Sequence, residues 1–286
     1  MLDVTAMTSG HISQALETRA VISTQGGGAA ANVASWLARE GTATFLIARV
    51  GDDAAGRVVL SELDQYGVSH SNLVIAGAKT GVVIVLVDPL GERTMFPDSG
   101  ANSGLTVADL PPLEDFTAAY FSGYAFVNPQ SREGALQILR EVRAKGIPIF
   151  FDPSTVGVLM GVGLAQIREW LTLVDVVILN EEEAQFITGF ANVIEAAEDL
   201  LTLTPTVVIK RGASGALAAR RDVAVVQVPS VSTIVLDTTG AGDAFAAGFI
   251  RAWSHEMALV DALEAGARLG AQCVALVGSR PPLTDK

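Results

Sequence analysis

The chain reads as an α/β protein, a parallel sheet with helices on its faces, and three observations predict this. Short β-rich runs alternate with amphipathic helical runs along most of the sequence. The rhythm breaks once, between residues 74 and 96, where two β-rich runs flank a Pro/Gly turn. No internal repeat, low-complexity tract or Pro-, Gly- or Ser-rich linker divides the 286 residues, so a single domain over 1–286 with one large core is expected.

Taken in order, Val21-Ile22-Ser23-Thr24 reads as a strand and residues 25–28 as a tight glycine loop. Residues 29–40 follow as a helix with Val33, Trp36 and Leu37 on one face. A second strand is expected over 44–50 and a second helix over 57–66. Residues 82–88 and 93–96, joined by Pro89-Leu90-Gly91-Glu92, make a hairpin that suits part of a lid. Beyond Ala101 the alternation returns, with strands at 118–122, 147–151, 176–179 and 207–210 and helices at 131–145, 164–171, 181–187 and 194–203. Residues 216–220 and 223–228 read as an antiparallel pair at a sheet edge, and helices over 244–253 and 257–274 close the chain.

Composition narrows the function. Half of the residues are apolar, but no apolar tract approaches the roughly 18 residues of a membrane span. The start of the chain has neither a basic region nor an apolar stretch of the secretory kind. Cys273 is the only cysteine and cannot form an internal disulfide, which fits a reducing, cytoplasmic location. A formal net charge of −12 without a Lys/Arg cluster argues against nucleic acid and anionic membrane as partners. A phosphorylated ligand would then be held by local amides, a metal ion and single cations. His11, His70 and His255 show no ligand spacing, and Cys273 reads as a small buried hydrophobe.

The chemistry concentrates in Asp237-Thr238-Thr239-Gly240-Ala241-Gly242-Asp243-Ala244-Phe245, which leads from a β-rich run into the helix over 244–253. Small residues at a helix start leave the N–H groups of Gly240 to Asp243 free to point at one anion. An acid at Asp243 is favoured by the helix dipole. Such a carboxylate could take a proton from a hydroxyl while the amides hold the charge developing on a transferring phosphate. The plain structural alternative is a helix capped by Thr or Asp behind a flexible loop.

This run matches every fixed position of the D-T-x-G-A-G-D signature of the ribokinase-like (PfkB) carbohydrate kinases and resembles it. The resemblance implies that Asp243 is the catalytic base beside the bound substrate. It also implies that Gly240, Ala241 and Gly242 form the anion hole, with Gly242 bordering the nucleotide. Many members of that family bind K⁺ beside the hole, which points to Asp237, Thr239 and the Val277-Gly278-Ser279 loop.

Gly27-Gly28-Ala29-Ala30-Ala31-Asn32-Val33-Ala34 opens a helix straight after a strand. Gly26-x-Gly28-x-x-Ala31 fits a dinucleotide fingerprint, which also expects an acid on the ribose about 20 residues further on. Arg49, Val50 and Gly51 stand near that point, with Asp52 a little beyond. The run is more similar to the G-G-x-x-x-N-x-A signature of the same kinases, which implies that Gly27, Gly28 and Asn32 contact sugar hydroxyls. Ribose kinases usually carry Lys after the glycines; Ala29 stands there instead.

Further motifs have sound structural readings of their own. Asn180-Glu181-Glu182-Glu183 is a good capping box. It also resembles the family's N-x-x-E metal motif, implying that Asn180, at the nucleotide, and Glu183 organise Mg²⁺ mainly through water. Lys210-Arg211-Gly212-Ala213-Ser214-Gly215 resembles the K-x-G-x-x-G run that borders the nucleotide, implying roles for Lys210, Gly212 and Gly215, whereas a solvated strand-end cation would look the same. Val50 to Gly56 resembles the family's V-G-x-D-x-x-G turn, and an Asp-capped helix explains it equally well. Gly100-Ala101-Asn102 resembles a run of the same family, and Arg93 reads as an exposed lid-edge residue, the alternative being a contact to an acidic or phosphorylated sugar.

Together the resemblances span residues 27 to 275 and imply a three-layer α/β/α ribokinase-like fold with a mostly parallel central sheet. A small β lid is expected over about 18–24 and 82–96. They imply transfer of the ATP γ-phosphoryl to a hydroxyl of a sugar or related small molecule, with Mg²⁺ required, K⁺ bound and a homodimer formed through the lid. Family members usually begin with a core strand ahead of an Asp that holds sugar hydroxyls. Leu2-Asp3-Val4 resembles the region of that Asp, so Asp3 is expected at the substrate and the first core strand is expected to be missing. A catalytically silent sugar- or nucleotide-binding regulatory member is the alternative, and the intact Asp243 counts against it.

Overall fold

The computed structural model describes residues 1–10, 17–70, 74–90, 92–221 and 223–283; His11 and Gly91 of the expected turn lie outside them. Its centre is a six-stranded sheet, in which β7 (Ala119–Ser122), β8 (Ile149–Asp152), β9 (Val176–Asn180) and β10 (Thr206–Lys210) run parallel. β11 (Ala216–Arg220) and β12 (Val223–Val228) complete one edge as the expected antiparallel pair.

Strand alternation divides the core into two layers. Ile149, Phe151, Val177, Leu179, Val207 and Ile209 pack with helices α4 (Arg132–Ala144), α6 (Leu164–Leu171), α7 (Glu181–Thr188) and α8 (Val193–Leu201). Phe150, Val176, Ile178 and Val208 point the other way, against α1 (Ala29–Arg39), α9 (Ala241–Ser254) and α10 (Leu259–Val274). Such near-continuous apolar strands are what a sheet covered on both faces requires. α2 (Ala54–Tyr66) packs in a smaller satellite core, while the short helices α3 (Tyr124–Val127) and α5 (Val156–Leu159) put Phe126 and Leu159 into the first layer. The last two are single turns without a periodic signal.

A second sheet of four strands forms the lid, in the order β2 (Ala20–Gly26), β1 (Leu2–Thr8), β5 (Thr80–Val87), β6 (Arg93–Gly100). The 82–96 hairpin is present, with Val87 opposite Arg93, and β2 matches the expected lid strand. Leu2–Thr8 lies at the centre of this lid, pairing with β2 and β5, and supplies no strand to the six-stranded sheet.

The strand expected over 44–50 is corrected to a single bridge at Phe45 and a two-residue strand, β3 (Val50–Gly51), which pairs with β4 (Val74–Ile75). A ladder needs a partner, and among the described residues Ser69 answers the backbone at Leu46 N–H and Thr44 C=O, while Val74 pairs with Val50. A cleft of about 1720 Å³ is lined by this segment, by β7, by the lid and by the C-terminal ends of the parallel strands. The last residues of those strands stand in register there, Ser122 beside Asp152 and Asn180 beside Lys210. In open α/β sheets this is the edge where ligands bind.

Candidate active site

α9 begins where Gly240 adopts φ +77°, and its mouth opens on the cleft. A Cβ at Gly240 would stand 2.6 Å from Ser279 Cα, so glycine is needed both for the turn and for the close approach of the C-terminal segment. Of the amides expected to bind an anion, that of Ala241 turns back to Thr238 O at 3.3 Å, and Ala241 does not line the cleft. The N–H groups of Gly240, Gly242 and Asp243 donate to no group among the described residues, and all three residues line the cleft. The unpaired amides at this mouth thus keep Gly240 and Gly242 of the expected Gly240-Ala241-Gly242 set and add that of Asp243.

Asp243 is half-buried at this mouth. Its Oδ2 accepts Asn32 Nδ2–H at 2.8 Å, which brings together the base expected from one motif and the amide expected from another, 211 positions apart. Burial raises its pKa to about 7, helped by Asp152 and Asp3 and opposed by the Asn32 hydrogen bond and Lys210. A carboxylate poised there is well matched to general-base work near neutral pH.

On the lid side, Asp3 lies against Gly27 so closely that a Cβ on Gly27 would meet its Oδ2 at 2.0 Å. Gly27 N–H donates to Met1 O, and Gly28, at φ +97°, starts α1. Asp3, Gly27, Gly28 and Asn32 therefore share one wall of the cleft with Asp243. Burial raises the pKa of Asp3, and Arg280 partly opposes the shift.

The opposite wall carries Lys210 and the Asn180–Glu183 pair. Lys210 Nζ donates to Asp152 Oδ2 at 2.8 Å and lies 3.0 Å from where a Cβ on Gly242 would be. Burial opposes its charge, but Asp152 and Glu183 outweigh burial and its pKa is raised. Lys210 is thus a half-buried cation beside the mouth of α9 and not a solvated strand-end residue. Arg211 instead pairs with Glu181 at 2.8 Å.

Asn180 and Glu183 form the expected capping box: Asn180 Oδ1 accepts Glu183 N–H, and Glu183 accepts both Asn180 N–H and Nδ2–H, each at 2.8 Å. Burial raises the pKa of Glu183. Among the described residues no group of three or more His, Cys, Asp or Glu side chains forms a metal cage. These residues fit a Mg²⁺ held through water and phosphate oxygens, the mode that ion favours.

Other expected residues stand apart from the cleft or are already engaged. Gly212 and Gly215 do not line it; they shape the β10–β11 turn, where a Cβ on Gly215 would lie 2.0 Å from Val228 O. Asp53 caps α2 and accepts Thr80 Oγ1–H at 2.6 Å, so the V-G-x-D turn is structural. Asp237 Oδ1 accepts Thr239 N–H at 2.8 Å and an Arg93 guanidinium N–H at 2.5 Å, while Oδ2 accepts Gly278 N–H at 2.9 Å. Arg93 lies on the edge strand β6 as expected, but it is only half exposed and joins the lid to the signature loop, also reaching Thr238 Oγ1 at 3.3 Å. Both oxygens of Asp237 thus accept hydrogen bonds, and the Arg93 guanidinium stands beside this expected K⁺ ligand.

Sequence reasoning missed Asp152, Glu62 and Arg280. Asp152 was findable, as an acid ending a parallel strand. Glu62 and Arg280 lie in no motif.

The sequence profile of the pfkB family carbohydrate kinases matches residues 1–286. A fructokinase of Klebsiella pneumoniae is 33% identical over 233 residues, covering 78% of this chain and 75% of that protein. The structure of aminoimidazole riboside kinase from Salmonella enterica, complexed with aminoimidazole riboside and an ATP analog, superposes with a TM-score of 0.79 at 26% identity, covering 99% of this chain and 94% of that one. Fructokinase from Vibrio cholerae O395, with fructose, ADP and calcium bound, gives 0.78 at 26% identity, covering 97% and 93%. Read with the helix mouth that faces Asp243 across from Lys210, these likenesses establish that the chain belongs to the pfkB family of carbohydrate kinases.

Proposed function

We propose that this chain transfers the γ-phosphoryl of ATP to a hydroxyl of a sugar or sugar-like small molecule, with Asp243 as general base. The observation that carries the reading is the half-buried Asp243 carboxylate, held by Asn32 Nδ2–H at 2.8 Å beside the N–H groups of Gly240, Gly242 and Asp243 itself, which are unpaired among the described residues. The acceptor hydroxyl would lie on the Asp3, Gly27 and Asn32 wall, and its proton would pass to an Asp243 oxygen. The amides at the mouth of α9 and the Lys210 ammonium would hold the charge of the transferring group, so that positioning and electrostatics provide most of the acceleration. Bound Mg²⁺ would neutralise phosphate charge, and Asn180 and Glu183 would orient its water shell.

Relatives that act on fructose and on aminoimidazole riboside, crystallised with an ATP analog or with ADP and calcium, support a nucleotide donor, a divalent cation and a furanose-like acceptor. The lid sheet exposes Val21, Ile22, Met95 and Phe96, each more than half accessible, and supports a homodimer formed through that face.

The test is ATP consumption over a panel of ketoses, aldoses and ribosides, with Asp243→Asn alongside. Turnover of one acceptor by the wild type, lost in the variant, is expected. Equal rates on every acceptor would overturn the reading.

A further inference from the structure

Behind the sugar wall lies a buried polar cluster that the transfer reaction does not use. Arg280, in the segment after α10, is 7% exposed and makes three hydrogen bonds. Its Nε–H donates to Asn32 Oδ1 at 3.2 Å, Nη1–H to Glu62 Oε2 at 3.0 Å and Nη2–H to Gly27 O at 3.2 Å. Glu62 Oε2 also accepts Gly26 N–H at 2.7 Å. A Cβ on Gly26 would stand 2.3 Å from Arg280 Nη1, so the guanidinium is packed against the backbone of the sugar loop.

The chemistry of the two partners decides which way the Asn32 amide points. A guanidinium can only donate, and an ionised carboxylate can only accept. With Arg280 on one side of Asn32 and Asp243 on the other, only one orientation satisfies both: oxygen toward Arg280 and NH₂ toward Asp243. The reverse orientation would set donor against donor and acceptor against acceptor in a buried place, each an unmet polar group.

We propose that Arg280 is a positioning residue, which locks the Asn32 amide with its NH₂ group aimed at Asp243 and at the acceptor hydroxyl, and holds the Gly27 carbonyl in the same grip. The proposal rests on the kinase reading for the hydroxyl; the orientation of the amide does not need it. Its consequence is that the sugar wall is asymmetric. Asn32 offers only a donor to the acceptor, because its oxygen is already taken, and Asp3 offers an acceptor, so a hydroxyl that bridges them must receive from one and give to the other.

A merely structural role would be to pin the C-terminal segment. That pinning is already provided on both sides, by Trp36 Nε1–H to Ser279 O at 3.0 Å and by Tyr66 Oη–H to Pro281 O at 2.8 Å.

The test compares wild type, Arg280→Met, Asn32→Ala and the double variant, all as full chains. The readout is the titration midpoint of the Asp243 carboxyl by ¹³C NMR, with the resonance assigned by its loss in Asp243→Asn. Asp152, Lys210, Asp3, Tyr120, Tyr124 and Cys273 also face Asp243, and all are left in place. Arg280→Met is expected to raise the midpoint by roughly one pH unit, the size of a lost hydrogen bond to the charged form. In the Asn32→Ala background the same change should move it by less than about a third of that, since double-mutant coupling reports action through Asn32.

A folded Arg280→Met variant with an unmoved midpoint, or an equal shift in both backgrounds, would overturn the proposal; the latter would mean direct charge repulsion. Should the Met variant fail to fold, Arg280→Lys retains the charge without the three-way fork, and the midpoint must still rise. Kinetics add that KM for the acceptor rises while KM for ATP stays. If no acceptor is turned over by any variant, the kinase reading fails, yet the midpoints still judge Arg280.

Discussion

Two helix N-termini face the same cleft and are finished in opposite ways. At α7, Asn180 and Glu183 satisfy each other through three hydrogen bonds, and the helix start is closed by its own side chains. At α9, Gly240 has no side chain to offer, and the N–H groups of Gly240, Gly242 and Asp243 are left without protein partners among the described residues. An unmet donor costs about 1–3 kcal/mol once desolvated, so a mouth left open in this way is where a ligand restores what the fold withholds. The closed mouth can act on a ligand only indirectly, through water, whereas the open one can take an anion directly. Substitutions at the two ends should therefore separate function from stability in different proportions.

The largest effect is expected at the open mouth. Asp243→Asn should lower kcat by about 10²–10⁴-fold, the usual worth of a positioned general base. The wild-type kcat/KM should fall as pH drops below about 7, where Asp243 takes up a proton. The stability effect has the opposite sign. Because the folded pKa, about 7, lies above the ordinary 3.8, the fold binds that proton more tightly than the unfolded chain, and stability is lost as pH rises between them. Asp243→Asn should therefore melt higher than wild type at pH 8 and nearly together with it at pH 4. A variant that loses activity and stability together at pH 8 would place Asp243 among the structural residues.

Next comes Gly240→Ala, which forces a Cβ into a left-handed position 2.6 Å from Ser279. A loss of about 1–3 kcal/mol is expected from backbone strain, with a kcat deficit of roughly tenfold or more from the displaced amides. Thermal melts and steady-state rates read the two separately. At the closed mouth, Asn180→Ala should cost about 1 kcal/mol of stability as a lost cap and raise the Mg²⁺ requirement by roughly tenfold. If its rate deficit matched that of Gly240→Ala, the contrast between the two mouths would collapse.

The same contrast explains how much the sequence could disclose. The three-layer sheet was legible because strands 149–152, 176–180 and 206–210 are short, apolar and separated by helices with one clear face. Residues 44–50 carry the same local pattern yet show only the Phe45 bridge and the Val50 pair among the described residues, because pairing is decided by neighbours distant in the chain. The Asp237–Asp243 and Gly27–Asn32 runs disclosed the site because glycine at a helix mouth leaves a local mark. That the Ala241 amide is engaged was not legible, since which amide stays unpaired depends on the Thr238 carbonyl and not on composition. Arg93, Asp152, Glu62 and Arg280 escaped because each acts across a long separation: Arg280 reaches Asn32 over 248 positions and Arg93 reaches Asp237 over 144. Single charged residues of that kind look like ordinary solvated surface until the chain is folded.

The smallest expected effect concerns the monovalent cation. Hydrogen bonds from Thr239 and Gly278 and the Arg93 guanidinium outweigh burial and keep Asp237 below the usual carboxylate range. Arg93 thereby places a permanent positive charge from the lid where the family resemblance implies K⁺. At equal ionic strength, exchanging K⁺ for tetramethylammonium should change kcat by no more than about twofold, within the modest worth of a partly exposed ion pair. Arg93→Met, which frees the Asp237 oxygen and keeps the apolar stem, should make the enzyme respond to K⁺ more strongly than wild type does. A wild type activated tenfold by K⁺ would show that the guanidinium yields its place to the ion when the lid is loaded, and would move Arg93 from the cation's role to that of a latch.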